Sequence, residues 1–376
     1  MPEADLAAFA SRGAVQALAG EIRRLAAELS LSGSRPLRIM HVCGSHEHSL
    51  SRWGLRSLLP RGVDLIAGPG CPVCVCPEHE IREAIELAER GAVVTTYGDM
   101  LRVPTSVGSL SDAASRGADV RLVYSAADAA KLARELPERE VVFFAVGFET
   151  TAAPTAAVIA ADPPANLSML TAHRLTPEAM VLLMGSGDIA VDALIAPGHV
   201  SVIIGADAWQ PLVDGFGLPT VVAGFEPADV MLAVRDILIQ RREGRAELTN
   251  VYGRVVKPEG NQRAQALLAE AFEVGAVWWR GLGELPGTGL RLRPALAAID
   301  ARERFDLHLP AGEHEMPAGC ACNRVMLGQI TPPECPLFGT ACHPLSPHGP
   351  CMVSQEGTCF IWNQYGASLL DTIEDA

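Results

Sequence analysis

The sequence predicts an α/β protein: two duplicated parallel-sheet βαβ domains facing a cleft, followed by a cysteine-rich, largely irregular C-terminal domain. Three observations carry that expectation. Short apolar runs alternate with amphipathic stretches from Pro36 onward, the rhythm of right-handed crossovers around parallel strands. The second third of the chain echoes the first at a nearly constant offset. The ten cysteines fall in two groups, four from Cys43 to Cys76 and six from Cys320 to Cys359, with none between.

The chain opens on a helix in which Val15, Leu18, Ile22, Leu25 and Leu29 recur at helical spacing. This N-terminal piece, residues 1–35, is expected to pack on the other domains. Glu21, Arg23, Arg24 and Glu28 break up its apolar series, so it does not read as a secretion signal, and no uninterrupted apolar stretch elsewhere is long enough to span a bilayer. A cytoplasmic location is therefore expected.

The first α/β domain is assigned to residues 36–160. Pro36 to Val42 reads as a strand that delivers Cys43-Gly44-Ser45-His46-Glu47-His48, and a helix over Glu47–Leu58 follows. Val63 to Ala67 is a buried strand ending in Gly68-Pro69-Gly70-Cys71-Pro72-Val73-Cys74-Val75-Cys76-Pro77, with a helix starting at Pro77 to Ile81. Strands follow at Ala92–Tyr97, Val120–Tyr124 and Val141–Val146, with a helix at Ala126–Leu136. The last strand ends in Gly147-Phe148-Glu149-Thr150-Thr151.

The loop Ala161–Ala165 is read as a linker, and residues 166–280 as the duplicate. Leu65 to Gly70 returns in Leu194 to Gly198, Val93-Val94 in Val221-Val222, and Val123-Tyr124 in Val251-Tyr252, each about 128 residues on. Pro197-Gly198-His199 takes the place of the cysteine turn, and the copy has no cysteine. Residues 281–376 form the third domain. Beyond Pro317 they are rich in Cys, Pro and Gly and poor in large apolar side chains, so something other than hydrophobic burial should hold them together.

Composition narrows the chemistry. The 30 basic and 44 acidic residues give a net charge of −14 without a basic stripe, which disfavours nucleic acid and anionic membranes as partners. No G-x-G-x-x-G or Walker pattern follows a predicted strand. The C-x2-C pair Cys71/Cys74, at the carboxyl end of a strand, suits a soft metal or a disulfide. The Cys43 thiol beside His46, Glu47 and a helix N-terminus is expected to ionise. Glu149, Thr150, His173 and His199 fall on comparable strand-end loops, whereas Thr176 and Asp99 read as helix caps. In the tail, zinc favours tight C-x2-C knuckles and dispersed thiolates suit an iron-sulfur cluster. Spacing alone leaves both open.

Taken together, Cys43-Gly44-Ser45-His46-Glu47, Gly68-Pro69-Gly70-Cys71-Pro72-Val73-Cys74, Gly147-Phe148-Glu149-Thr150-Thr151, Ala196-Pro197-Gly198-His199-Val200-Ser201 and Met352-Val353-Ser354-Gln355-Glu356-Gly357 resemble the HypD family of [NiFe]-hydrogenase maturation factors. The likeness runs from about Met40 to the C-terminus. Ser45 stands where the family usually has threonine, and Asn323-Arg324 where it commonly has Gly-Glu.

The resemblance implies a cytoplasmic scaffold on which the Fe(CN)2(CO) unit is assembled with the chaperone HypC. Cyanide would come from the HypE-HypF pair, and the product would pass through the chaperone to the hydrogenase large subunit. Such a scaffold takes part in redox and ligand transfer without being an ordinary turnover enzyme.

On this likeness Cys43 is an iron ligand shared with a chaperone cysteine. Cys71 and Cys74 are metal-site or redox thiols, with His46 and Glu47 as neighbours. Cys320, Cys335, Cys342 and Cys359 are assigned to a [4Fe-4S] cluster that passes electrons to the Cys71/Cys74 pair. Cys322 is the alternate for Cys320, while Cys351 and Cys76 are spare. Donors around the diatomic ligands are sought in the Gly-Pro-Gly backbone, Thr150, Thr151 and His199. Two other readings use the same cysteines: a cluster-dependent protein disulfide reductase, and a zinc-stabilised interaction scaffold.

Overall fold

The computed structural model of the chain describes residues 11–366, apart from positions 34, 188, 308, 313 and 314. Its strands in chain order are β1 (Leu37–His41), β2 (Val63–Ala67), β3 (Val93–Thr96), β4 (Val120–Leu122), β5 (Val141–Gly147), β6 (Leu167–Arg174), β7 (Ala193–Pro197), β8 (Thr220–Ala223), β9 (Leu248–Asn250), β10 (Phe272–Trp279) and β11 (Gly283–Leu292). They form two sheets. The first has the order β2-β1-β7-β8-β9 and is parallel throughout; the second runs β10-β11-β6-β5-β3-β4 and is parallel from β6 to β4.

The strands are apolar on both faces because helices cover both faces. In the first sheet Ile39, Leu65, Ile195 and Val221 point to one core, which also holds Val15, Ile22 and Leu25 of the N-terminal helix Arg12–Glu28 and Val230, Val234 and Ile237 of the helix Pro227–Arg242. Their neighbours Met40, Ile66, Leu194 and Val222 point to the opposite core, as the two-residue period of a strand requires. The N-terminal helix starts where Ser11 Oγ accepts the Ala14 N–H at 3.2 Å. Among the described residues, no helix is long and apolar enough to cross a membrane.

The α/β class and the two sheets match the expectation; the division of strands between them does not. β1 and β2 belong with β7–β9, while β3–β6 make the other sheet, so the chain crosses between sheets after β2 and returns at β7. The loop 161–165 joins the helix Glu149–Ala160 to β6 within one sheet, making it an ordinary crossover turn. The repeat survives locally, since β3-β4 and β8-β9 each finish a sheet with a three-residue edge strand. Short echoes report βαβ geometry, which is the same whichever sheet a strand joins.

The expected boundary at 280/281 falls inside the β10–β11 hairpin, which pairs antiparallel onto β6 through Gly289↔Arg174 and Leu290↔His173. The helix expected over Glu47–Leu58 is broken at Gly54 (φ 60°) into Gly44–Arg52 and a 3-10 turn Leu55–Leu58. The cysteine-rich segment has only short helices. It is not a separate body: its buried side chains join Cys74, Val75 and Cys76, together with Val142 and Phe144 of β5, in one apolar cluster on a face of the second sheet. Residues 367–376 of this segment, and 1–10 at the other end, lie outside the described residues.

Candidate metal centre

In the first sheet the chain proceeds from β1 to β2 on one side and later from β7 to β9 on the other. The crevice beyond the carboxyl ends of β1 and β7 is thus a topological switch point, where open α/β sheets bind ligands. Cys43 follows β1 and caps the helix Gly44–Arg52. His199 follows β7 on the helix Gly198–Ile204. Their side chains meet, Cys43 Sγ to His199 Nδ1 at 3.8 Å.

The turn after β2 joins them through glycine. Gly44 N–H donates to Gly70 O at 3.3 Å, and a Cβ on Gly70 would lie 2.1 Å from the Val42 carbonyl carbon and 2.2 Å from Cys43 N. No side chain fits there, which brings the Cys71–Cys74 turn directly onto the Cys43 backbone. Gly70→Ala is expected to cost about 1–3 kcal/mol, read as a lower urea midpoint. Cys71 precedes the four-residue helix Pro72–Val75, Cys74 lies within it, and the two are joined by a disulfide with Cα atoms 5.3 Å apart.

A third segment closes the site. Asp99, after β3, accepts Ser354 Oγ–H at 2.9 Å and Gln355 N–H at 3.2 Å. This seats Glu356 against Gly44, where a Cβ would come within 2.3–2.7 Å of Glu356 atoms. Asp99 is therefore an anchor between the loop after β3 and the Met352–Gly357 segment, beyond the capping role the sequence suggested. Glu356, absent from the expected site residues, lies beside Cys43. The one signal for it was its place in the Met352–Gly357 motif.

Burial overrides the expected ionisation of Cys43. The thiol is pushed up to about 12, first by burial and then by the Glu356 charge. His46 supplies no counter-charge, because burial and the neighbouring His41 pull it down to about 3. Its Nε2 donates to Gly224 O at 3.0 Å, while its buried Nδ1 has no partner among the described residues. Burial likewise pulls His199 down to about 4. A soft metal at Cys43 must displace a proton, and the burial that holds His199 neutral leaves no cation beside the thiol to ease that loss.

Among the other expected donors, the Gly68 and Gly70 N–H groups already donate to His41 O and Gly68 O, both at 2.8 Å. Thr151 Oγ1 is spent on Val146 O and Phe148 O at the Gly147 turn, and Thr150 is half-buried at the same helix start. Glu149, pushed up to about 7 by burial, receives Thr176 N–H and Oγ1–H at 2.7 and 3.0 Å. Thr176 thus donates to a neighbouring helix start, where the sequence suggested that it caps its own. His173 is buried against Phe272 and lines a separate cavity beside β10 and β11.

The six tail cysteines line one small cavity, of about 10 Å³. The His348 N–H points to Cys342 Sγ at 3.4 Å and the Cys359 N–H to Cys351 Sγ at 3.2 Å. A hydrogen bond from Cys322 pulls Cys320 down to about 7 despite burial. Backbone N–H groups aimed at sulfur in an apolar shell are the surroundings an iron-sulfur cluster takes. The thiols ring the cavity. Among the described residues, no three His, Cys, Asp or Glu side chains are already gathered to hold a metal ion.

Residues 14–366 match the HypD family model, described as the hydrogenase formation hypA family. The chain belongs to the HypD family. It is 44% identical to the hydrogenase maturation factor HypD of Cupriavidus necator over 363 residues, covering 92% of this chain and 95% of that one. The HypD factors of Azotobacter vinelandii and Rhodobacter capsulatus are 45% and 43% identical, over 92% and 96% of this chain and 94% and 97% of theirs.

One HypD motif residue has a position its spacing did not reveal. Glu47 is buried and its carboxylate receives His41 Nε2–H, Ser51 Oγ–H, two Arg56 N–H groups and Trp362 Nε1–H at 2.8–2.9 Å. Burial raises its pKa, but Arg56 and His41 outweigh that and hold it far below the usual carboxylate range. Five donors saturate its lone pairs, so Glu47 clamps the Cys43 helix to the Cys359 helix (Thr358–Tyr365). Glu47→Ala should cost about 3–5 kcal/mol in urea unfolding. Because the folded pKa is depressed, the clamp's contribution is full above the unfolded value near 4.5 and lost as pH falls below it.

Proposed function

We propose that this HypD-family chain is a cytoplasmic scaffold on which the Fe(CN)2(CO) unit of [NiFe]-hydrogenase is assembled. Its partners are a HypC-type chaperone, HypE as cyanide donor charged by HypF, and, through the chaperone, the hydrogenase large subunit. The observation that carries this reading is the convergence of Cys43, His199 and the Cys71–Cys74 disulfide at the switch point of the first sheet. Iron bearing cyanide and carbon monoxide is a soft cargo, and thiolate is the ligand class that suits it. Cys43 supplies one thiolate once metal binding displaces its proton.

The disulfide gives the site two states. Closed, it offers no thiolate. Breaking the S–S bond takes two electrons and two protons and opens two thiols beside Cys43. Cys320, Cys335, Cys342 and Cys359, with Cys322 as alternate for Cys320, would hold a [4Fe-4S] cluster, which supplies electrons one at a time. The 3-10 turn Pro350–Met352, carrying Cys351, packs on the Pro72–Val75 helix, so the two cysteine groups are in contact.

Anaerobic purification, with iron, sulfide and zinc assays and a Mössbauer spectrum, tests the cluster. Brown protein with iron and sulfide is expected; colourless protein with zinc would overturn it. The disulfide also favours a second reading, a cluster-dependent protein disulfide reductase. Turnover of a disulfide substrate by protein free of cyanide and carbonyl would select that reading.

A further inference from the structure

Arg280, at the turn between β10 and β11, is wholly buried. It is tied to the disulfide turn by its own backbone and by one side-chain nitrogen: Arg280 N–H donates to Val75 O at 2.8 Å and Nε–H to Cys76 O at 2.7 Å. Both terminal nitrogens, four N–H groups, have no partner among the described residues. The next residue, Gly281, abuts the helix that begins at Cys322: a Cβ there would lie 2.7 Å from Asn323 Cβ, and Asn323 Nδ2–H donates to Gly281 O at 3.4 Å. Cys320 and Cys322 lie together, with Sγ atoms 2.7 and 3.6 Å from where a Gly349 Cβ would be.

A buried guanidinium with four unmet donors is costly unless an anion faces it. Glu315 feels the Arg280 charge but is turned to the Glu78 N–H and His79 Nδ1 at 3.0 and 3.2 Å. Cys76 lies buried within reach of Glu80, Sγ to Oε2 3.7 Å. The Gly281–Asn323 contact puts Arg280 beside the start of the Cys322 helix, on the side of the tail cavity that Cys320 and Cys322 line.

We infer that Arg280 is a positioning residue that donates to the sulfur of the tail cluster, stabilises the negative charge gained on reduction, and ties that cluster to the backbone of the disulfide turn. This rests on the cluster assignment made above. Cationic N–H donors to sulfur favour the reduced form and raise the reduction potential. Each added electron comes from an external reductant and stays on the cluster, with no bond made or broken.

The test uses the full chain, reconstituted anaerobically, as wild type, Arg280→Lys and Arg280→Gln. Iron and sulfide are assayed, and the midpoint potential is titrated with dithionite under EPR. Arg280→Gln is expected to lower the equilibrium constant for one-electron reduction at least tenfold, a negative shift of about 59 mV, while Arg280→Lys shifts less. Cluster loss from Arg280→Gln alone also supports the assignment. An unshifted Arg280→Gln potential overturns it, as does cluster loss from both variants with wild-type circular dichroism. Pulsed EPR of reduced wild-type protein carrying ¹⁵N-arginine gives an answer that needs no variant: a ¹⁵N coupling is expected, and its absence overturns the inference. A wild-type protein that takes up no iron and sulfide instead overturns the cluster assignment itself.

Discussion

Replacing Cys71 with serine is expected to abolish hydrogenase maturation in a host lacking its own HypD and to leave the iron-sulfur absorbance expected of the purified protein unchanged. The two halves of this result come from different parts of the molecule. Cys71 and Cys74 close a disulfide on a turn whose Gly70 lies against the Cys43 backbone. Serine removes both the disulfide and one soft ligand, since a hydroxyl neither exchanges with a thiol nor ionises near neutral pH. The six tail cysteines line a separate cavity and keep their packing. The check is hydrogenase activity in cell extract beside the visible spectrum and iron content of the variant. Retained maturation would count against both the ligand and the relay roles of the pair.

The second large effect is at Cys359. Cys359→Ser is expected to lose most of its iron and sulfide and all maturation, while mass spectrometry still finds the Cys71–Cys74 disulfide. Cys359 opens the helix Thr358–Tyr365, whose Trp362 is held by Glu47. Losing the metal should therefore loosen the contact between the tail and the Cys43 helix as well as empty the cavity. Faster proteolysis within residues 320–366 would report that loosening. Cys351→Ser, at a cysteine assigned no cluster role, should keep its iron; equal loss there would redraw the ligand set.

The parts of this account that were legible in the sequence are local. Alternating apolar runs place Cys43, Cys71 and His199 just after strands, and strand ends are where a parallel sheet puts its chemistry. The partition of strands between sheets was not legible, because a βαβ unit looks alike in either sheet. Nor were contacts between distant segments: Asp99 with Ser354, Glu47 with Trp362, and Arg280 with the Cys76 carbonyl join residues more than 200 positions apart. The thiol state of Cys43 was misjudged for the same reason. His46 and a helix N-terminus are visible locally, whereas the burial that neutralises His46 and the Glu356 carboxyl that opposes a thiolate come from the fold.

The central claim is that the thiols at the first switch point carry iron with diatomic ligands. The infrared spectrum of the protein, purified anaerobically with its chaperone from cells making cyanide donor, tests it most directly. Cyanide and carbonyl stretching bands are expected in the wild type and should vanish in Cys43→Ala while the brown cluster remains. A wild-type complex with its cluster intact and no such bands, or bands that persist in Cys43→Ala, would contradict it.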